Sequence, residues 1–577
     1  MVLEKVNQPS DLKELNQDEL QQLVDEIRQV LIHKINDTGG HMGSNLGIVE
    51  MTVAMHYVFN SPVDKFVFDV SHQCYTHKIL TGRKEYYLNK EKYAEICGFT
   101  DPQESEHDFF KVGHTATSIS LATGLAKGRD LNKKKENIIA IIGDGSLSGG
   151  EAYEGLNNAA ELNSNMIIVV NDNDMSIAPV YGGYAKNLAE LRQTNGKATN
   201  NMFKALGFDY RYLENGNDVN ALIQLFKDVK DIDHPVVLHI HTEKGYGLKA
   251  AMENKEYWHW SAPGDVDGIK ERAFKENYNQ ITNEYLVEKC KQDPTVMVIS
   301  PAIPGATGIS VEIREQLQDQ FIDVGIAEEH AVAYASGLAK NGAKPVIEMS
   351  SSFLQRTYDQ LSQDLALNQN AATILVFSSG ISGSDATHLG TFDISLVSNI
   401  PNLLYLHPTS KEEYLAMLDW SLEQNEYSTI ICVPGKEVIH RESHFNAQTL
   451  NQYVIEEKGK DIAIIGVGSF LKKAYEIKEL LQKEITIINP LQVTTLDKNL
   501  LDSLKDEHQV VITLENGSLD GGFGQKVAHY YGNTNMKVLC YGSFKEFSDR
   551  ESLDQLYQKY HLNNEQIVED LLQTLKN

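Results

Sequence analysis

Residues 138–175 read IIAIIGDGSLSGGEAYEGLNNAAELNSNMIIVVNDNDM. Two apolar runs, Ile138–Ile142 and Met166–Val170, have the length and composition of fully buried strands. Between them, Gly149 to Leu162 reads as a helix. Strand, helix and strand at this spacing imply a parallel sheet covered on both faces. Each run ends in a polar tip: Gly143-Asp144-Gly145 after the first, Asn171-Asp172-Asn173-Asp174-Met175 after the second. One strand–helix–strand unit returns the chain to the same edge of the sheet, so Asp144 and Asn173 project from adjacent strand ends. Ligands of such sheets sit beyond the carboxyl ends of the strands. A carboxylate and an amide oxygen are hard ligands suited to Mg²⁺, which also keeps phosphate oxygens in its shell. The glycines let backbone N–H groups approach a diphosphate, and the N-terminus of the following helix favours its charge. A lone Gly-Asp-Gly is explained by an ordinary strand–turn–helix junction; the second tip, with its asparagine, favours the metal. A nicotinamide-binding reading fails, because the third glycine is replaced by Ser148 after Gly143-x-Gly145 and by Leu471 after Gly466-x-Gly468.

Outward from this core the same alternation continues. Leu15, Leu20, Leu23, Ile27, Val30 and Leu31 recur at helical spacing, with Ser10-Asp11 or Asn16 as caps. Phe66–Val70 reads as a strand leading into a histidine-rich loop, and Pro235–His241 as another strand. A Lys- and Glu-rich stretch from about Glu271 to Asp293 reads as a connector with a helical pattern. A second strand–helix series runs through Thr295–Ser300, Lys344–Met349, Ala372–Phe377 and Thr429–Val433. A third runs through Ile462–Ile465, Ile485–Ile488 and Val510–Leu514 to a C-terminal helix. The fold class expected is α/β, with three domains, each a mainly parallel sheet flanked by helices.

Bulk properties narrow the function. A chain of 577 residues has room for three or four domains. With 80 Asp and Glu against 52 Lys and Arg, the net charge of -28 repels nucleic acid and anionic membranes. A small anionic substrate needs only a local cationic pocket. Cys74, Cys97, Cys290, Cys432 and Cys540 form no C-x-x-C pair, which argues against a zinc ribbon or disulfide framework and suits a reducing cytosol. The N-terminus has no apolar signal-peptide core, and the apolar runs are too short to span a bilayer. The location expected is cytoplasmic.

Gly-Asp-Gly, then a helix and a strand, then Asn resembles the signature of thiamine diphosphate enzymes of the transketolase superfamily. The surrounding segments are similar to one family in particular, 1-deoxy-D-xylulose-5-phosphate synthase. They are GGHMGSNLG from Gly39, DVSHQCYTHKILTGR from Asp69, ESEHD from Glu104, VGHTATSIS from Val112, DNDMSI from Asp172, SPAIPG from Ser300, DVGIAEEHA from Asp323, FLQRTYDQ from Phe353 and THLGTFD from Thr387. Weaker similarity reaches Gly521–Gly524. The resemblance implies a homodimer. It also implies a diphosphate- and Mg-binding domain over 1–275, a pyrimidine-binding domain over 276–445 and a C-terminal transketolase-like domain over 446–577.

By the same resemblance, thiamine diphosphate is contacted by His72, His114, Gly143, Asp144, Gly145, Ser146, Asn173, Met175, Glu328 and Phe353. Asp144, Asn173 and Met175 hold Mg²⁺. Glu328 is the carboxylate that binds the pyrimidine ring and favours its imino form, so that the cofactor can remove its own thiazolium proton; the protein's part is to fix tautomer and geometry. Glu329 fits a plain helix-terminal role better. Phe353 stacks on the pyrimidine. His41, His72 and His388 join Glu328 as catalytic groups, since histidine supplies donors of near-neutral pKa for alkoxide chemistry. His41, His259, Arg356, Asp385 and His388 bind substrate. His77, His239 and His241 lack such support and read as structural.

The acceptor end departs from the family. The arginine expected before the GISG turn is Ser378, the family YPRG reads Val433-Pro434-Gly435-Lys436, and the tyrosine before the Ser-x-Phe segment is Ser350. Lysine lacks the planar fork with which arginine grips phosphate. The expected activity is transfer of a two-carbon unit from a 2-oxo acid such as pyruvate, or from a ketose, to an aldehyde such as glyceraldehyde 3-phosphate. The alternatives are a transketolase-like enzyme acting on another sugar without decarboxylation, and a cofactor-binding homologue without turnover.

Overall fold

The computed structural model describes residues 1–269, 276–435 and 437–576. The chain forms two compact units. The first comprises Met1–Ala273 with Gly325–Ala327, the second Phe274–Val324 with Glu328–Asn577. Among the described residues, no helix is long and apolar enough to cross a membrane.

The first unit holds five parallel strands: β1 (Lys65–Phe68), β2 (Ile138–Gly143), β3 (Met166–Asp172), β4 (Asp209–Leu213) and β5 (Pro235–His241). Their order is β1-β2-β3-β5-β4, so β2 and β3 lie side by side near the centre. Ile138–Ile142 and Met166–Val170 are fully buried. Alternate residues face two apolar layers: Ile139, Ile141, Ile167 and Val169 on one side, Ile138, Ala140, Ile142, Ile168 and Val170 on the other. At about 1.5–3 kcal/mol for each fully buried aliphatic side chain, this pair of strands anchors the unit. The connecting helix is Gly150–Ala159, shorter than the pattern suggested, because its last turn tightens, with the Glu161 and Leu162 N–H groups donating to Asn158 O and Ala159 O. The N-terminal helix Gln17–Thr38 is capped by Asn16, whose side chain accepts the Glu19 N–H while Glu19 returns the bond. The strand expected to reach Val70 stops at Phe68, since Val70 and Ser71 both take left-handed backbone angles.

The second unit carries two sheets. One contains β6 (Val296–Ser300), β7 (Phe321–Asp323), β8 (Lys344–Ser350), β9 (Thr373–Phe377), β10 (Leu403–Leu406) and β11 (Ser428–Cys432), all parallel, in the order β10-β11-β9-β8-β6-β7. The other contains β12 (Val454–Glu457), β13 (Asp461–Gly466), β14 (Thr486–Asn489), β15 (His508–Ser518) and β16 (Lys537–Ser543), in the order β12-β14-β13-β15-β16, with only β12 antiparallel. The α/β class holds in all three sheets. Strands β4, β7, β10, β12 and β16 escaped the pattern reading. β4 is half-buried throughout and β7 has three residues, so neither shows a continuous apolar run. Part of the expected connector, residues 271–275, lies outside the described residues; Tyr278–Gln292 is the helix its pattern suggested.

Candidate active site

The strand-tip geometry follows from the register. Gly143 pairs with Asn171, which places Asp144 and Asn173 just beyond neighbouring strand ends. The Asp144 N–H donates to Asn171 O at 3.1 Å, and the Met175 N–H donates to Asp144 Oδ2 at 3.0 Å. Asp144 is buried, and burial together with repulsion from Asp172 pushes its carboxyl well above the usual range. Asp172 is also buried, but hydrogen bonds from His239 and Arg192 outweigh that and hold it down to about 2. His239 Nε2 lies 2.7 Å from Asp172 Oδ2, and Arg192 donates to Oδ1 at 2.6 Å. Asp172 is thus paired with two basic side chains, whereas Asp144 accepts a backbone N–H from Met175 and is pushed toward its neutral form.

Asn173 Oδ1 is buried and finds no hydrogen-bond partner among the described residues. A buried carboxylate and an unanswered amide oxygen at adjacent tips fit a hard divalent cation. The glycines fit a diphosphate for two reasons. A Cβ on Gly143 would meet nothing within 4 Å, whereas one on Gly145 would come within 2.9 Å of Ser176 Cβ. The first leaves open space before the strand tip; the second lets the two tips close. Ser146 is buried, and its hydroxyl is among the groups that favour the charged form of the Asp69 carboxyl against burial. Asp69 also accepts the N–H groups of Ala116 at 2.9 Å and Ser118 at 3.0 Å, and so fixes the loop that carries half-buried His114.

Three of the expected histidines come together. The ring centroids of His41 and His72 are 4.9 Å apart, His41 and His259 5.6 Å, and His72 and His259 5.5 Å. A two-bond bridge between Gly40 and Ser261 brings the first and last of these loops side by side. His259 is held well below the usual imidazole range by burial, with Lys244, His72 and His41 adding to it, so it is neutral. Lys244 was not singled out in the sequence. It is buried, its ammonium is pushed down to about 8 by burial, and Nζ donates to Ser176 O at 2.6 Å while lying 3.3 Å from His259 Nδ1. It links the Met175–Ser176 turn to the histidine cluster. Its only sequence signal was the glycine pair that follows, Gly245 and Gly247, both at positive φ. His77 and His239 are structural: His77 bridges His56 and Asp108 at 2.9 Å each, and His239 bridges Tyr210 and Asp172.

In the second unit, Glu328 opens the helix Glu328–Lys340 and is 2% exposed. Burial raises its carboxyl to about 7, against the opposing pull of Arg356. The Arg356 guanidinium is 3.6 Å from Oε2, too far for a hydrogen bond, and Oε2 has no hydrogen-bond partner among the described residues. Arg356, expected at the substrate, therefore also serves as the counter-charge of Glu328.

Phe353 lies in the turn Ser351–Leu354 that follows β8, with its ring 5.9 Å from that of His388 at 77°. Asp385 lies 3.6 Å from His388 Nδ1; burial penalises its charge, but the nearby His388 ring and hydrogen bonds from Thr387 hold it down to about 2. Buried Asp393 ties the two segments together by accepting from Ser351 at 3.1 Å, Ser379 at 2.5 Å and Tyr405 at 2.7 Å. Ser378 sits at φ 57 just after β9, and Val433 is buried just after β11. Lys436 lies outside the described residues.

Comparison with known proteins bears on this arrangement. Residues 3–201 and 194–242 match the family described as 1-deoxy-D-xylulose-5-phosphate synthase, residues 275–439 the transketolase pyrimidine-binding domain, and residues 451–567 the transketolase C-terminal domain. The 1-deoxy-D-xylulose-5-phosphate synthase of Chlorobaculum tepidum is 35% identical, over 100% of this chain and 98% of that protein. Those of Dictyoglomus turgidum and Halothermothrix orenii are 36% and 35% identical, over 100% and 99% of this chain and 99% and 97% of theirs. A solved transketolase from Leishmania mexicana is 14% identical with a TM-score of 0.46, covering 96% of this chain and 97% of that one. The protein is a thiamine diphosphate-dependent transferase of the transketolase superfamily. Within it, the chain belongs to the 1-deoxy-D-xylulose-5-phosphate synthase family.

Proposed function

We propose that this enzyme joins a two-carbon unit from pyruvate to an aldehyde with release of CO₂, using thiamine diphosphate and Mg²⁺. The observation that carries the reading is Asn173 Oδ1, buried and unanswered beside the buried carboxylate of Asp144. Asp144, Asn173 and Met175 would hold the metal, and Gly143, Gly145, Ser146, His72 and His114 would line the diphosphate and thiazolium end. Glu328 and Phe353 would hold the pyrimidine. When bound, the cofactor supplies the nucleophilic ring carbon and the electron sink for the donor carbonyl. Glu328, with Oε2 buried and without a hydrogen-bond partner among the described residues, would share a proton with the pyrimidine ring. Neutral His259, with His41 and His72, offers imidazole groups to the substrate's carbonyl and hydroxyl oxygens. In the second unit, His388, beside Asp385 and Thr387, would offer a further imidazole, with Arg356 as the cation for an anionic substrate group. The domain limits 1–275, 276–445 and 446–577, a homodimer and a cytoplasmic location complete the reading.

The reading is tested by incubating purified protein with pyruvate and glyceraldehyde 3-phosphate and following CO₂ and product mass. Absence of CO₂ with pyruvate, alongside ketol transfer from a ketose, would replace it with the transketolase-like alternative, which Ser378 and the altered Val433 turn favour at the acceptor end. Absence of turnover with either donor class would leave a cofactor-binding homologue.

Asp144→Ala is expected to lose most Mg²⁺-dependent affinity for thiamine diphosphate, while changes in the exposed Lys133–Lys135 run leave it unchanged. Calorimetric titration of both variants decides this. Equal affinities would remove Asp144 from the metal site.

A further inference from the structure

Two loops present His41 and His72, and both run through backbone angles at positive φ, reached freely by glycine in the first and at a cost in the second. Gly39 and Gly40, both at positive φ, precede His41. Val70 and Ser71, at φ 56 and 65, precede His72. For a β-branched residue such as Val70 the left-handed region costs free energy and persists only where surroundings over-determine it. Part of that determination comes from the Ser71 hydroxyl, which donates to Val112 O at 2.8 Å and accepts the Thr100 N–H at 2.9 Å.

A further tie, common to both loops, is Asn45. It is 0% exposed and sits one turn after His41 in the short helix Met42–Leu46. Its Nδ2 donates to two backbone carbonyls, His41 O and His72 O, each at 2.8 Å. Its Oδ1 accepts the Tyr75 N–H at 3.1 Å. One amide group thus bonds the backbone of both histidines and the start of the next helix. The planar amide fixes the angle between its two N–H bonds, and with it the separation of the two carbonyls. Asp would lose both donors, and Ala all three bonds.

We propose that Asn45 is a positioning residue that sets the mutual placement of the His41 and His72 rings for the transfer reaction. The inference rests on the proposed function for its activity readout and on the structure alone for its geometry. In the holoenzyme, Asn45→Ala should lower kcat by about 100-fold, the scale of a displacement of roughly 1 Å in a catalytic group. Thiamine diphosphate affinity and the KM for pyruvate should change far less than kcat, since most contacts to either lie outside the two loops. Asn45→Asp, which keeps the bond to Tyr75, should show the same kcat loss. The double variant His41→Ala/Asn45→Ala should lose clearly less than the product of the two single losses, because part of the effect of Asn45 runs through His41 and the rest through His72.

A parallel measurement uses ¹⁵N-histidine-labelled protein. In Asn45→Ala the ring resonances of His41 and His72 should move, while those of His239, held by Tyr210 and Asp172, should not. Wild-type kcat in both single variants, or fully additive losses in the double variant, would overturn the proposal. So would unfolding of both single variants, which would give Asn45 a purely structural role. If the wild-type protein itself fails to turn over these substrates, the proposed function falls, and the histidine spectra still decide whether Asn45 sets the ring positions.

Discussion

Replacing Glu328 by Ala should leave thiamine diphosphate bound and cut kcat by about 10³-fold, within the range for loss of a positioned acid–base group. Most cofactor affinity is expected from the diphosphate and metal end, in the first unit, so calorimetry should show little change. Hydrogen–deuterium exchange at the thiazolium carbon, followed by quenched-flow NMR, should slow by a similar factor. An unchanged exchange rate would remove Glu328 from the proton-sharing role.

The same carboxyl makes a stability prediction with a definite sign. Its pKa rises from 4.5 to about 7 on folding, mainly through burial. Between those values the folded chain retains a proton that the unfolded chain has lost, so stability falls as pH rises through the window. Above pH 7 the penalty reaches about 3 kcal/mol, and at pH 5 it is below about 1 kcal/mol. Glu328→Gln should therefore stabilise the cofactor-free protein at pH 8 by up to that amount, and far less at pH 5. Denaturant midpoints at the two pH values measure it. A gain that is equal at both would show that the carboxyl is not held neutral. A residue that is needed for turnover and costs stability is the pattern expected of a functional site.

The second large effect concerns the acceptor. If Ser378 and the Val433–Gly435 turn replace two arginines that grip phosphate in the family, about 1.5–3 kcal/mol is lost for each charged hydrogen bond. Two such losses without compensation amount to about 3–6 kcal/mol, or roughly two to four powers of ten in affinity for glyceraldehyde 3-phosphate. Arg356 recovers little of this if it stays 3.6 Å from Glu328. The wild-type enzyme should accordingly show a high KM for the phosphorylated acceptor and a smaller preference over unphosphorylated aldehydes. Ser378→Arg should lower that KM. Ser378 follows β9, in the segment that buried Asp393 ties to the Phe353 turn through Ser379, so a longer side chain there starts from an anchored backbone. Steady-state kinetics with both acceptors on both proteins decide it. A low-micromolar wild-type KM for glyceraldehyde 3-phosphate would mean that other residues hold the phosphate.

The sequence by itself determined the α/β class, the tips that carry Asp144 and Asn173, and the resemblance that pointed to Glu328. Buried parallel strands are continuous apolar runs, and their polar ends stand out against them; the observed β2, β3 and β5 agree with the reading to within two residues. Edge and short strands such as β4 and β7 carried no such contrast. Tertiary structure alone decided which of Asp144 and Asp172 was paired with basic side chains. The two are equally acidic in sequence, and only packing brings Arg192 and His239 onto one of them. It also decided that His41, His72 and His259 share one cluster, that His77 and His239 do not belong to it, and that Lys244 and Asn45 do. The physical reason is the same in each case: the pattern of side chains along the chain records which face of an element is buried, whereas a hydrogen bond between loops far apart in sequence exists only once the sheet has brought those loops to one edge.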